Sequence, residues 1–294
     1  MALSSPALVL AEAALWANIK PTLDTIKKLG PTDFSDGSNG IVDVKPGATL
    51  KVPVSSVSAA NEYNESTNNY TTGGDTSWAS LTCTHYLQGF DITGTNLDQG
   101  VDAPKMKQLF ASRAGTGVAI SARNTLTAAL DGCTASTGCQ IAAAGSAGTA
   151  DYLGLGDGLS WLDKATSVLA VNGTELAAIK AKFAADHITG TVTELGQYMG
   201  FADMVLIPGM TARACIVPAT SLGFKARVPA IVADFPEFGA MTDPDSGLSV
   251  GIVVASVQAT NKLVVNADLW FGAIAQSANA AATTAGIVKV GTAA

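Results

Sequence analysis

Charge is what this 294-residue chain has least of. Lys and Arg number 17, Asp and Glu 24 and His 2, so charged residues make up 14% and the formal net charge is −7. Soluble domains typically carry about 25% charged residues. A net acidic chain with a pI near 4.7 excludes a free-standing basic nucleic-acid binder and a polybasic membrane anchor. The four cysteines, Cys83, Cys133, Cys139 and Cys215, fit neither a C-x-x-C motif nor a zinc spacing, and are too few for a disulfide framework. They suit a reduced, cytosolic setting, with a bridge between Cys133 and Cys139 left open. Two histidines exclude a His-rich metal site. No apolar run approaches the ~20 residues of a membrane span. Met1 to Trp16 lacks a basic leader region and carries Glu12, unlike a signal peptide.

What the chain has instead is small and apolar residues: 48% hydrophobic, with 30 Gly and 50 Ala. A chain this long buries roughly 75% of its unfolded surface and needs no staples to fold. It nevertheless has too few charges to cover an isolated globule of 29.7 kDa. Much of its surface is therefore expected to lie against other copies, making a homo-oligomer.

Leu8, Leu15, Ile19, Leu23 and Ile26 recur at helical spacing from Ser5 to about Leu29, where Gly30-Pro31 stops the pattern and Pro21 divides it in two. Alone, this arm has no partner for its apolar stripe. Asp33 to Gly40 (DFSDGSNG) is a turn-rich linker. Ile41 to Val57 and Trp78 to Thr93 alternate as strands around the wholly polar Ala59 to Ser77, which predicts an extended hairpin whose long connection is functional. Between Val52 and Pro104 there is no Lys or Arg, yet there are six acids: Glu62, Glu65, Asp75, Asp91, Asp98 and Asp102. Such a hairpin needs a basic surface to lie on.

Asp102-Ala103-Pro104 is a helix start, with Asp as N-cap and Pro in the first turn. The helix is predicted to run to about Leu130, with Gly132 ending it, a length of roughly 42 Å. Met106, Phe110, Ala114, Val118, Ala122, Leu126 and Leu130 form its buried stripe, and Gly115 and Gly117 mark a close approach to a neighbouring element. Lys105, Lys107, Arg113 and Arg123 supply a basic face, the candidate landing place for Glu62, Glu65 and Asp75. Cys133 to Asp151 reads as a small-residue loop. Helices are expected over Ser160 to about Val171 and Thr174 to about His187. Strands are expected over Asp203 to Pro208 and Ala212 to Pro218, in a hairpin Leu248–Gln258/Leu263–Phe271, and at an edge over Ile287 to Val290.

No catalytic constellation survives inspection. Gly247-Leu248-Ser249-Val250-Gly251 spells G-x-S-x-G, but a strand follows it and both His85 and His187 lie upstream. Cys83 and His85 share a strand face that is otherwise apolar. Gly154 to Gly158 is not G-x-G-x-x-G and reads as a turn. Asp243 to Gly247 lacks the spacing of a calcium loop. No enzyme, cofactor or metal site is expected.

The order of parts resembles the major capsid proteins of tailed bacteriophages, the Hong Kong 97 fold shared with encapsulins. Lys45 to Pro53 (KPGATLKVP) and Trp78 to Asp91 (WASLTCTHYLQGFD) look like the strands of that family's extended loop. Asp102 to Gly132 looks like its spine helix, and Ser160 to Leu169 (SWLDKATSVL) like the start of its axial domain. The resemblance implies an α+β fold. Its parts would be an N-terminal arm (1–40), an extended β-hairpin loop (41–95), a peripheral domain with the spine helix (96–150) and an axial domain (151–247). Strands returning to the peripheral domain and a tail (248–294) would complete it.

The resemblance also implies an icosahedral shell of hexamers and pentamers around double-stranded DNA, assembled in the host cytoplasm with portal and scaffolding proteins, the DNA enclosed rather than specifically bound. An encapsulin-like cellular shell is the alternative. A surface-layer or fibre protein would need an export signal. Some family members cross-link through a loop lysine. None stands between Val52 and Pro104, so no cross-link is expected. Others begin with a scaffolding segment, whereas this chain starts almost directly at the arm.

Overall fold

The computed structural model describes residues 20–33, 49–56, 75–100, 102–141, 152–228, 237–242, 249–277 and 286–292. In chain order these form helix α1 (residues 20–28), β1 (Thr32–Asp33), β2 (Thr49–Ser56), β3 (Asp75–Thr82), β4 (Thr84–Thr93), α2 (Gly94–Asp98), α3 (Ala103–Asp131) and β5 (Ala135–Ile141). There follow β6 (Val168–Val171), α4 (Gly173–Ala185), α5 (Val192–Tyr198), β7 (Asp203–Leu206), β8 (Ala214–Val217), β9 (Leu222–Arg227), β10 (Glu237–Thr242), β11 (Ser249–Val257), β12 (Lys262–Ala275) and β13 (Val288–Thr292).

Helix α3 begins and ends at its sequence signals. The Asp102 carboxylate accepts from the Lys105 backbone N–H, and the Gly132 N–H closes on Ala128 and Leu130 carbonyls. Ala114, Val118, Ala122, Leu126 and Leu130 are at most 1% exposed; Met106 and Phe110 are half-buried. The helix lies on a six-stranded sheet ordered β1-β9-β12-β11-β10, with β4 on the other edge of β12. Alternation in β12 sends Val265, Ala267, Leu269 and Phe271 to the helix side. Alanines on the facing side of α3 let helix and sheet approach closely. Gly117 marks that approach: a Cβ there would meet Gln88 Cγ of β4 at 3.1 Å.

A second sheet, β5-β13-β8-β6-β7, is flanked by α4 and α5. Leu169, Val171, Ile216 and Val288 pack in one cluster with Ile179 and Phe183 of α4 and Leu195 of α5. The Asn172 side chain caps α4, and a Thr191/Glu194 capping box starts α5. A third cluster joins the two units: Ile26 and Leu29 beside α1, Leu126 and Leu130 of α3, and Cys215 and Val217 of β8. Asp131 strengthens the junction by accepting from the backbone N–H groups of Thr211 (3.0 Å) and Ala212 (2.7 Å). Lys28 bonds Thr193 at 3.2 Å and pairs with Asp203 at 3.3 Å.

Several sequence expectations change. Ser160 to Val171 is not a helix. It is turns, a 3-10 turn at Lys164–Thr166 and strand β6, because Leu169, Ala170 and Val171 are fully buried at the centre of a sheet. Helix α5 stands between the expected second helix and the first expected strand of this region, where no helix was expected. The supposed loop after Cys133 contains β5, paired parallel to β13 with a register shift between Val290 and Gly291. The last strand is not at an edge, since β13 has β5 on one side and β8 on the other.

Strands β9 and β10 join the larger sheet, while β13 closes the smaller one. The arm's apolar stripe finds partners in its own chain at Leu23, Ile26 and Leu29, each at most 2% exposed. Its first part (1–19), most of the polar connection (57–74) and Asp243 to Gly247 lie outside the described residues.

Candidate functional site

The residues with reactive side chains are mostly structural. Cys83 sits at the break between β3 and β4, and His85 stacks on Trp270 with ring centroids 4.7 Å apart while its Nε2 contacts the Asp268 carboxylate. The four cysteines are free thiols. Burial raises Cys133, pushes Cys139 up to about 11 and pushes Cys215 up to about 12, so these three stay protonated and poorly nucleophilic at neutral pH. Ser249 to Gly251 open strand β11 rather than a strand-to-helix elbow. Gly154 to Gly158 form a turn, held by Lys164 Nζ on the Leu153 carbonyl (3.0 Å) and Asp157 (2.9 Å). Among the described residues no three His, Cys, Asp or Glu side chains converge to hold a metal.

One buried charge stands out in the smaller unit. Glu175, with no exposed surface, accepts from Tyr152 Oη at 2.6 Å and from Arg213 Nε at 2.5 Å. Burial, then the Glu175 carboxylate, pushes the Tyr152 phenol upward. The three link the turn at Tyr152, the first turn of α4 and the residue before β8. That is a fastening.

The hairpin is the feature without an internal explanation. β2 and β3 pair antiparallel from Thr49↔Thr82 to Ser56↔Asp75, and among the described residues they pair with no other strand. An isolated two-stranded hairpin is at best marginally stable in water, so this one needs a surface. Asp75 stands at its far end, paired in register with Ser56; Glu62 and Glu65 lie outside the described residues. Among the described side chains, two of the acids are engaged within the chain: Asp91 pairs with Lys262 at 2.5 Å and Asp102 with Lys105 at 3.3 Å.

On α3, Arg113 is exposed, while Lys107 and Arg123 are half-buried. At 3.6 residues per turn Arg123 falls on the same side as Lys105, Arg113 about 80° round, and Lys107 about 160° round toward the sheet. The Arg123 Nε is buried with no hydrogen-bond partner. What sequence reasoning missed is the seat of the hairpin on β12 at Gly272, signalled only by a glycine within the otherwise well-patterned strand LWFGAIA.

Among solved structures, the chain is similar to the capsid of Ralstonia phage GP4, at 9% identity and TM-score 0.53, over 88% of this chain and 86% of that one. It is also similar to the capsid of a native GTA particle, at 12% identity and TM-score 0.52, over 92% and 91%. The chain has a phage-capsid fold. No protein-family model and no curated protein matches its sequence. Within this capsid fold, α3 and the larger sheet form the body from which the hairpin departs, and the smaller sheet with α4 and α5 forms the second unit.

Proposed function

We propose that the chain is a major capsid protein of the Hong Kong 97 type, the shell subunit of a virion, assembling as hexamers and pentamers around double-stranded DNA. The observation that carries this is the hairpin on a capsid fold: seated on the body only at its root and pairing with no other strand among the described residues, it needs a neighbouring surface for the rest of its length, and a second copy supplies one. Glu62, Glu65 and Asp75 would face the basic residues of a neighbour's α3, Arg113 and Arg123 on its outer side, with Lys107 of the same basic set lying round toward the sheet. There the half-buried Arg123 would offer only the accessible part of its guanidinium, since its Nε is buried in its own chain. A carboxylate that reaches that part contributes specificity as well as attraction.

The remaining parts of the proposal follow from the shell role. Portal and scaffolding partners belong to it, with assembly in the host cytoplasm. The net charge of −7 suits a container that does not trap entering DNA. Arg113→Glu together with Arg123→Glu is expected to impair assembly, read by electron microscopy and size-exclusion chromatography; normal shells from that variant would contradict the docking. With no Lys between Val52 and Pro104, mature particles should run as a single monomer band on denaturing gels. A ladder would overturn the no-cross-link expectation.

A further inference from the structure

We propose that Gly272 is a positioning residue that sets the direction in which the hairpin leaves the body; the inference rests on the reading of that hairpin as the arm engaging a neighbouring subunit. β3 and β4 are one line of chain broken at Cys83 alone. β4 follows the edge of β12 as far as Thr84↔Phe271. One residue further the pairing stops, and the chain moves from the edge of β12 onto its face. A Cβ on Gly272 would lie 2.6 Å from the Thr82 carbonyl oxygen and 3.1 Å from Leu81 Cδ1. Because Val265, Ala267, Leu269 and Phe271 face α3, Gly272 faces the opposite side, and the crossing takes place there. Leu81 is 1% exposed at this point.

Two other glycines of the same sheet region are covered differently. A Cβ on Gly89 or Gly94 would meet the side-chain amide of Asn266 or Asn261, which can rotate away. At Gly272 the obstacle is a main-chain carbonyl, which moves only if the strand moves. Any side chain at 272 therefore lifts β3 at its root. The eight residues of β3 span about 26 Å at 3.3 Å each, so a tilt of about 10° at the root displaces the far end by about 5 Å. That exceeds the tolerance of a hydrogen bond or ion pair on a neighbour.

The test compares wild type, Gly272→Ala and Gly291→Ala, whose Cβ would meet only the Ser136 carbonyl at 4.0 Å. Hydrogen–deuterium exchange is measured on the unassembled subunit and shell yield by electron microscopy. Gly272→Ala is expected to keep protection in α3, β4 and β11, to lose it at the packed root of the hairpin, where Leu81 is buried and pairs with Leu50, by about tenfold, and to reduce closed shells by a similar factor. Gly291→Ala should match wild type. Unchanged hairpin protection with wild-type shells in Gly272→Ala would overturn the inference. So would loss of protection throughout α3 and the larger sheet, which would make Gly272 a general folding requirement. A wild-type protein that forms no shells would count against the capsid reading, and the hairpin exchange would still decide the role of Gly272.

Discussion

The two sheet units reach stability by different routes. The larger one is mostly antiparallel. Its strands β10, β11 and β12 are sequential and joined by registered hairpin pairing, and alternate apolar residues of β11 and β12 face one helix. The smaller one gathers five strands from widely separated parts of the chain, mixes parallel and antiparallel pairs, and encloses the Glu175–Arg213 ion pair. The first is an apolar layer between a sheet and one long helix. The second is fastened at specific points: Glu175 with Arg213, the Asn172 and Thr191 caps, and Lys164 on its turn. For a shell subunit this division suits a broad body that presents a hairpin and a second unit of fixed internal shape.

Three substitutions probe that contrast. Phe271→Ala empties the centre of the larger core, where Phe271 stacks on Phe224 at 5.9 Å, and should cost about 3–5 kcal/mol in denaturant unfolding. Hydrogen exchange should lose protection first in α3 and β11; loss confined to α4 and β8 would contradict the separation of cores. Glu175→Gln keeps an acceptor for Tyr152 but removes the charge opposite Arg213, and should cost about 1.5–3 kcal/mol. Its loss of protection should centre on α4, β6 and β8. A neutral outcome would mean that the ion pair is not what fastens the smaller unit.

The smallest effect is a pH dependence at α5. The backbone N–H of Thr191, and then its hydroxyl, hold the Glu194 carboxyl below its usual 4.5. A depressed folded value means that this contribution is present above the unfolded value and is lost as pH falls below about 4.5. Amides at the start of α5 should therefore show lower protection, relative to their intrinsic exchange rate, on the acid side. Glu194→Gln should remove that pH slope, and an unchanged slope would place its origin elsewhere.

The legibility of the sequence follows the same contrast. In the larger unit the signals are local and agree with one another: Asp102 and Gly132 bracket α3, its stripe keeps helical spacing, and β11 and β12 flank a short polar turn. In the smaller unit, β5 and β13 are some 150 residues apart, and small residues such as Ser136 and Gly138 hide the strand pattern. Helical spacing in WLDKATSVLAV competes with the demands of a buried central strand, and burial decides for the strand. Helix α5 did announce itself through Thr191 and Glu194, the one readable signal passed over. The acidic character of the hairpin region was plain in the sequence. That Asp91 and Asp102 are occupied within the chain depends on a pairing partner and a cap geometry that spacing alone does not specify. The crossing at Gly272 depends on strands nearly 200 residues apart.

The most direct measurement is negative-stain electron microscopy of the purified protein, run beside size-exclusion chromatography. The account predicts closed shells or capsomer rings. A small, featureless monomer that stays monomeric when concentrated, even with a candidate scaffold present, would contradict it.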